Sequence, residues 1–360
     1  MKKLLSLTLA LLMCLSLFVA CAEDVNNENS KETNSVDSSD VSTDVESSDS
    51  SPESYESSET MPTEKPTIRI GGMKGPTSMG LVKLMEDNDN ETSSVNYEFT
   101  IEATADMLTP KLIKGELDMV AVPANLASVL YNNTKGSVQV LAINTLGVIY
   151  IVEKNAGISS LADLKGKTIY ATGKGSTPEY NLRYLLTQAN IDPDKDLTIE
   201  FKSEPAEVVA MLKNSDSAVA MLPQPYVTVA KTQVEGLNIA LNLNDEWNTL
   251  NNGSMMVTGV MIVRKEFAEN NKDAIDKFLA EYQASTQYIN NNADEASAWV
   301  EKRIGVKAGI AKQAIPYCNI TFIKGTEMKT ALSGYLNVLF DQNAKSIGGG
   351  MPDDAFYYGA

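Results

Sequence analysis

A chain of 360 residues, 43% apolar and 21% charged, can bury a large core and has the length for two domains, which excludes a short peptide or a wholly disordered chain. Its 30 Lys and Arg stand against 47 Asp and Glu, and the resulting net charge of −17 opposes any general affinity for nucleic-acid phosphates. Histidine is absent, so Ser-His-Asp and Cys-His catalysis and histidine metal ligation are excluded as well.

Lys2 and Lys3 precede an uncharged run of 17 residues, Leu4 to Ala20, close to the lower limit for a bilayer span and typical of a secretion signal. The run ends Leu17-Phe18-Val19-Ala20-Cys21, which resembles a bacterial lipoprotein box, with Phe18 where leucine is usual. That resemblance implies a signal peptide over residues 1–21, lipidation of Cys21 and a membrane-anchored, extracytoplasmic location. Cys14 then leaves with the signal and Cys318 has no intramolecular partner, so the exported chain has no disulfide framework.

Residues 22–66 carry thirteen acidic residues against Lys31 and Lys65, for a net −11, with abundant serine and few apolar side chains. Such a segment cannot offset its ordering entropy by burial, and a disordered acidic tether is expected, reaching on the order of 35 to 40 Å as a free coil. The chain's acidity is therefore mostly linker.

From Thr67 the pattern changes. Thr67 to Met73 is a β-branched run ending on glycines; Gly75-Pro76-Thr77-Ser78-Met79-Gly80 follows, then apolar residues at helical spacing from Leu81. Thr77 or Ser78 is the expected N-cap, with helix-end amides turned toward the loop. A strand over Tyr97 to Ala103 passes through Thr104-Ala105-Asp106 into a helix ending near Gly115, and a third strand, Leu117 to Val122, runs through Pro123-Ala124-Asn125 into another helix. Repeated strand, polar loop and helix imply parallel strands with those loops gathered at their carboxyl ends. Val138 to Ile143 and Val148 to Glu153 are apolar runs separated by Asn144-Thr145-Leu146-Gly147, which is expected to carry the chain between domains.

A second unit of the same kind follows: strand Thr168 to Ala171, loop Thr172 to Thr177, helix Pro178 to Ala189, strand Thr198 to Lys202, helix Pro205 to Lys213, and strand Ala218 to Leu222 ending on Pro223-Gln224-Pro225-Tyr226. Val257 to Arg264 is expected to return the chain to the first unit. Helices near Glu266 to Asn292, Ala293 to Arg303 and Met328 to Gln342 complete it, with no further alternation of strand and helix. The implied architecture is α/β: two mainly parallel-sheet lobes, 67–147 with 255–360 and 148–254, separated by a cleft at facing strand ends.

The run Leu161-Ala162-Asp163-Leu164-Lys165-Gly166-Lys167-Thr168-Ile169, the segment Lys114-Gly115-Glu116-Leu117-Asp118 and the closing Gly349-Gly350-Met351-Pro352-Asp353-Asp354-Ala355-Phe356-Tyr357-Tyr358 carry a family resemblance. From about residue 67 to its end the chain resembles the solute-binding proteins of ATP-driven (ABC) importers, in the group handling nitrate, sulfonates, taurine and thiamine pyrimidine precursors. The resemblance implies a periplasmic-binding-protein-like fold of type II, a small-molecule solute, ABC permease subunits as partners, a monomer, and no cofactor, metal or catalysis.

By the strand-end rule the expected solute contacts are Lys74, Gly75, Pro76, Thr77, Ser78, Thr104, Asp106, Pro123, Asn125, Asn144, Thr145, Lys174, Gly175, Ser176, Thr177, Gln224 and Thr258. Hydroxyls, amides and glycines offer directional donors and close backbone approach, which suits a small polar or anionic solute; the same residues also serve ordinary turns. Met79 is assigned to the core. Only Arg183 of the four arginines lies near a loop-helix junction, so no guanidinium clamp is evident, while Tyr150, Tyr180, Tyr226 and Trp247 are candidates to stack on a heterocycle.

Other functions find less support. Gly173-Lys174-Gly175-Ser176-Thr177 fails the phosphate-loop pattern, which requires glycine at 168 and Ser or Thr at 175. Neither G-x-S-x-G nor C-x-x-C occurs, and Asp106, Asp118 and Glu179 form no certified pair. A surface sensor or adhesin on the same fold, and a related-fold enzyme working without histidine, are the alternatives.

Overall fold

Strands buried on both faces read as continuous apolar runs, and this chain's central strands do so, alternate side chains entering different cores. In the computed structural model, which describes residues 65–360, the chain runs β1 (Thr67–Met73), α1 (Pro76–Met79), α2 (Val82–Asp89), β2 (Asn96–Glu102), α3 (Thr109–Ile113), β3 (Met119–Pro123), α4 (Ala124–Asn133) and β4 (Val138–Leu146). It continues through β5 (Ile149–Lys154), β6 (Thr168–Ala171), α5 (Thr177–Gln188), β7 (Thr198–Phe201), α6 (Pro205–Asn214), β8 (Ala218–Pro223), α7 (Tyr226–Gln233), β9 (Leu237–Asn242) and α8 (Leu243–Thr249). It closes with β10 (Val257–Arg264), α9 (Lys265–Asn270), α10 (Lys272–Asn291), α11 (Ala293–Ile304), α12 (Ala308–Ala314), β11 (Ile320–Ile323) and α13 (Gly325–Gln342). The expected signal peptide with Cys21 and nearly all of the expected tether lie outside the described residues. Among the described residues no helix is long and apolar enough to cross a membrane.

Two sheets result, ordered β11-β4-β10-β3-β1-β2 and β7-β6-β8-β5-β9. In the first, β1 is parallel to β2 and β3, and β10 lies antiparallel between β3 and β4. In the second, β6 is parallel to β7 and β8, and β5 lies antiparallel between β8 and β9. The expected mainly parallel two-lobed architecture is present, and it is mixed because β5 and β10, which enter and return between lobes, and the edge strand β11 run against their neighbours.

The cores follow from the pleat. Val120, Val122, Val140, Ile143, Val260 and Ile262 share one apolar cluster with Ile149, Ile151, Val219 and Met221 of the second sheet, so this core is continuous between the lobes. Alternating with them, Met119, Ala121, Leu141, Met261 and Val263 pack under α2, α10, α11 and α12. Tyr150, Val152, Ala220 and Leu222 pack under α6 and α7. Met79 is fully buried, as assigned.

Four expectations are corrected. Asn144, Thr145 and Leu146 are not a linker but the last residues of β4, because β10 and β11 pair with them on both sides; the passage shrinks to Gly147 and Val148. The expected helix from Glu266 to Asn292 is interrupted at Asn271, whose Nδ2 donates to the Phe267 carbonyl and ends α9. β11 adds a strand where only helices were expected, and α7, β9 and α8 fill the stretch left unassigned before Val257. Thr77 and Ser78 lie inside α1; Gly75 occupies the cap position, and no side chain caps that single turn.

Candidate functional site at the strand ends

Register decides where the strand ends meet. β4 ends at the passage and β5 begins there; Pro223, the last residue of β8, pairs with Ile149, and Asn242, the last of β9, pairs with Tyr150. β6 and β7 run parallel to β8, and β1, β2 and β3 run in the same direction as β4 across the intervening antiparallel β10, so their carboxyl ends also lie on this side and border the two crossings. The return crossing runs from α8 to β10. Asn319 grips the outward one, its backbone carbonyl accepting from Leu146 N at 3.1 Å and its Nδ2 donating to the Gly147 carbonyl.

Around this point several expected residues come together. Gly259 pairs with Pro123 on one side and Thr145 on the other, and a methyl group in place of its hydrogen would lie 2.5 Å from Thr77 Cγ2 and 2.7 Å from Asn144 Oδ1. Thr145 Oγ1 donates to Asn144 Oδ1 at 2.9 Å, which leaves Asn144 Nδ2 as a free, fully buried donor. Ser78 Oγ and Thr258 Oγ1 are likewise buried without partners. From the second lobe Gln224 approaches the passage, its N–H donating to the Val148 carbonyl at 3.0 Å, while its Oε1 accepts from Thr228 Oγ1 at 2.9 Å. Buried polar atoms without partners cost about 1–3 kcal/mol each, so a group of them at the strand ends marks a place where something else supplies the hydrogen bonds.

Other expected residues are held elsewhere or turned outward. Thr104 and Asp106 are exposed beyond β2, the outer strand of the first sheet and two strands from β3. Asn125 is buried, with Nδ2 donating to the Ser346 carbonyl at 3.1 Å and Oδ1 unpartnered. Lys74 and Lys174 are exposed and make no ion pair among the described residues; Gly75 is buried and Pro76 half-buried at the start of α1. In the second lobe's glycine loop, the Gly175 N–H donates to Glu179 Oε2 at 2.7 Å, Ser176 Oγ donates to the Gly173 carbonyl at 2.8 Å, and Thr177 is buried in the first turn of α5. The loop's Gly175 amide is thus already engaged by its own helix.

The charges explain what kind of recognition remains. All four arginines are in ion pairs: Arg69 and Arg264 with Asp118, Arg183 with Glu179 and Asp194, and Arg303 with Glu86 and Asp89. No guanidinium is left for the strand ends, and the buried unpartnered donors there are neutral. Among the described residues no cluster of Cys, Asp and Glu could hold a metal ion.

Two of the aromatic candidates are structural. Trp247 is fully buried, with Nε1 donating to Ser254 Oγ at 3.0 Å, and Tyr150 is buried, its hydroxyl donating to the Tyr317 carbonyl at 3.4 Å and pushed up to about 12 by burial. Tyr180 and Tyr226 are half-buried.

Two polar residues of α10 went unassigned from the sequence. Tyr282 Oη and Thr286 Oγ1 are buried without partners, and burial raises the Tyr282 hydroxyl well above its ordinary value, an effect the neighbouring Asn144 side chain offsets in part. Their signal was present: Ala274, Ile275, Phe278, Leu279 and Ile289 form the buried stripe of α10, and Tyr282, Ser285 and Thr286 interrupt it.

Comparison with known proteins agrees with this fold. Residues 90–306 match the family described as ABC transporter, phosphonate, periplasmic substrate-binding protein. A binding protein of Brucella abortus (strain 2308) is 25% identical over 186 residues, 51% of this chain and 56% of that protein, so the chain spans about half the length of the curated relatives it matches. Among solved structures, an ABC transporter protein from Parabacteroides distasonis superposes with a TM-score of 0.68 at 22% identity, covering 81% of this chain and 99% of that one. The periplasmic aliphatic sulphonate binding protein of Escherichia coli gives 0.64 at 20% identity over 80% and 92%, and the periplasmic nitrate-binding protein of Synechocystis PCC 6803 gives 0.58 at 15% over 78% and 82%. At those identities the structural likeness establishes the fold, whereas the family match spans more than half of the residues. With two lobes meeting at facing strand ends, this chain belongs to the family of periplasmic substrate-binding proteins of ABC transporters.

Proposed function

We propose that this chain is the extracytoplasmic binding component of an ABC importer, anchored through lipid on Cys21 and held off the membrane by residues 22–66. It delivers a small polar or heterocyclic solute to permease subunits, acts as a monomer, and performs no chemistry on its cargo. Its lobes are residues 67–147 with 255–360, and residues 148–254. The solute lies between the strand ends, contacted by Thr77, Ser78, Pro123, Asn144, Thr145 and Thr258 on one side and by Ser176, Thr177 and Gln224 on the other. Lys74 and Lys174 stand at the rim, and Gly75 and Pro76 place α1; Thr104, Asp106 and Gly175 contribute through their loops and Asn125 from the first turn of α4.

The observation that supports this reading most directly is the set of buried, unpartnered polar atoms on Ser78, Asn144 and Thr258 beside the chain crossings. A solute that satisfies them only when both lobes embrace it binds the closed arrangement better than the open one, and that difference is what shifts the equilibrium. The family shown for the chain supports a solute and a permease as partners.

Mass spectrometry of small molecules released on denaturing the freshly purified protein tests it. A small polar compound released near one per chain and rebound unchanged is the expected result; its conversion to another compound would replace the importer reading with an enzymatic one.

A further inference from the structure

The unpartnered hydroxyls of α10 extend the site beyond the strand ends. A methyl group at Gly80, the residue ending α1, would lie 3.2 Å from Thr286 Oγ1 and 3.3 Å from Tyr282 Cε2, so both side chains sit directly beneath α1. Asn144, whose Nδ2 is free, is the neighbour of Tyr282, and Ser78 Oγ lies in α1 itself. Tyr282 is held rigidly there: its ring stacks on Phe278 at 5.3 Å and meets Phe322 edge-on at 5.6 Å. The hydroxyl of Ser285, by contrast, is spent between α1 and α2, donating to the Gly80 carbonyl at 2.7 Å and accepting from Leu84 N at 3.1 Å. Ser285 is thus satisfied within the protein, whereas Thr286 Oγ1 has no partner there and Tyr282 Oη has only the Asn144 amide beside it.

Resting on the binding function proposed above, we propose that Tyr282, with Thr286 beside it, closes the inner end of the solute site and donates a hydrogen bond to an acceptor oxygen of the bound solute. Tyr282 is then a specificity-determining residue contributed by a helix outside the strand-end loops. A site built to pair its buried donors discriminates strongly against an analogue lacking the acceptor, because the donors are then left unpaired. The oxygen belongs to an oxyanion or to a ring carbonyl, and the probes separate these.

The experiment measures two quantities on the full described chain, residues 65–360 with its native flanks: the melting temperature without solute, and affinity for nitrate, ethanesulfonate, methylphosphonate and a hydroxypyrimidine. Tyr282→Phe and Thr286→Val are compared with Tyr97→Phe, whose hydroxyl donates to Glu281 Oε2 at 2.5 Å and lies at the outer strand. Expected is a loss of about tenfold or more in affinity for Tyr282→Phe, the size of one hydrogen bond to a buried donor, with no fall in the solute-free melting temperature, while Tyr97→Phe lowers that temperature and leaves affinity unchanged. Undiminished affinity in Tyr282→Phe overturns this inference and leaves the binding function standing. A solute-free melting temperature lowered as far as in Tyr97→Phe also overturns it, since the hydroxyl is then bonded within the protein, to Asn144 or through buried water. Failure of the unsubstituted protein to bind any of the four probes counts against the binding function and removes this inference with it.

Discussion

Asp118 sits just before β3, at the end of the sheet opposite the candidate site, and is almost fully buried while accepting four hydrogen bonds. Its Oδ2 accepts from Arg69 N at 3.0 Å and Nε at 2.9 Å, and its Oδ1 accepts from Arg69 Nη2 at 2.7 Å and Arg264 Nη2 at 2.8 Å. Burial alone would raise this carboxyl; the hydrogen bonds from Arg69 and Arg264 outweigh it and hold Asp118 below the usual carboxylate range. With the folded value below the unfolded one, the stabilisation is complete above the unfolded carboxylate range near pH 4 and is lost as pH falls through the folded value. Asp118→Asn is expected to cost about 3 kcal/mol near neutral pH, because two arginines lose their partner, and to flatten the acid limb of a stability curve followed by urea unfolding. A loss under about 1 kcal/mol would show that the arginines re-pair with solvent. The sequence presents Asp118 only as one carboxylate among many; its role depends on arginines 49 and 146 residues away.

At the scale of elements, α13 belongs by packing to the first sheet yet reaches the second lobe. Its Tyr335 hydroxyl donates to Asn181 Oδ1 of α5 at 2.5 Å, and its ring lies 5.5 Å from Trp247 of α8, which in turn lies 4.8 Å from Tyr184 of α5. This aromatic seam lies in the apolar cluster that is continuous between the lobes, so it ties the two lobes together. Trp247→Ala is expected to cost about 3–5 kcal/mol in stability, measured by thermal or urea unfolding, from lost burial and the cavity left behind. A smaller cost would mean that the seam collapses around the gap and contributes little restraint. Helices with long apolar periodicity, such as α10 and α13, were legible in sequence because their pattern is local. β11 was not: its four residues become a strand only through Thr145 and Ile143 of β4, far away in sequence.

For the whole molecule, a solute gripped by both lobes should compact them. Solution scattering is expected to show a smaller radius of gyration on saturation, and the protein should gain about 2.7 kcal/mol of stability at a hundredfold excess over Kd. Because the unpartnered donors are hydroxyls and an amide, and the chain has no histidine, affinity is expected to stay flat from about pH 6 to 9 when followed by calorimetry. A binding curve with a midpoint in that range would point to a lysine or a titrating solute group as the main contact.

What the sequence determined by itself was whatever repeats locally: strand-loop-helix order, two-sided burial of the central strands, and thus two sheets whose carboxyl ends bear polar loops. The composition also settled what was absent, since no histidine and only four arginines leave lysine as the main cationic means of recognition. Tertiary structure alone decided which of those polar loops matter. Asn144 and Thr145 looked like a linker until two distant strands paired with them, and Tyr282, unassigned from the sequence, has a buried hydroxyl that only the fold places beneath α1. The physical reason is that a hydrogen bond's presence or absence is a relation between residues far apart in the chain, whereas apolar periodicity is written residue by residue.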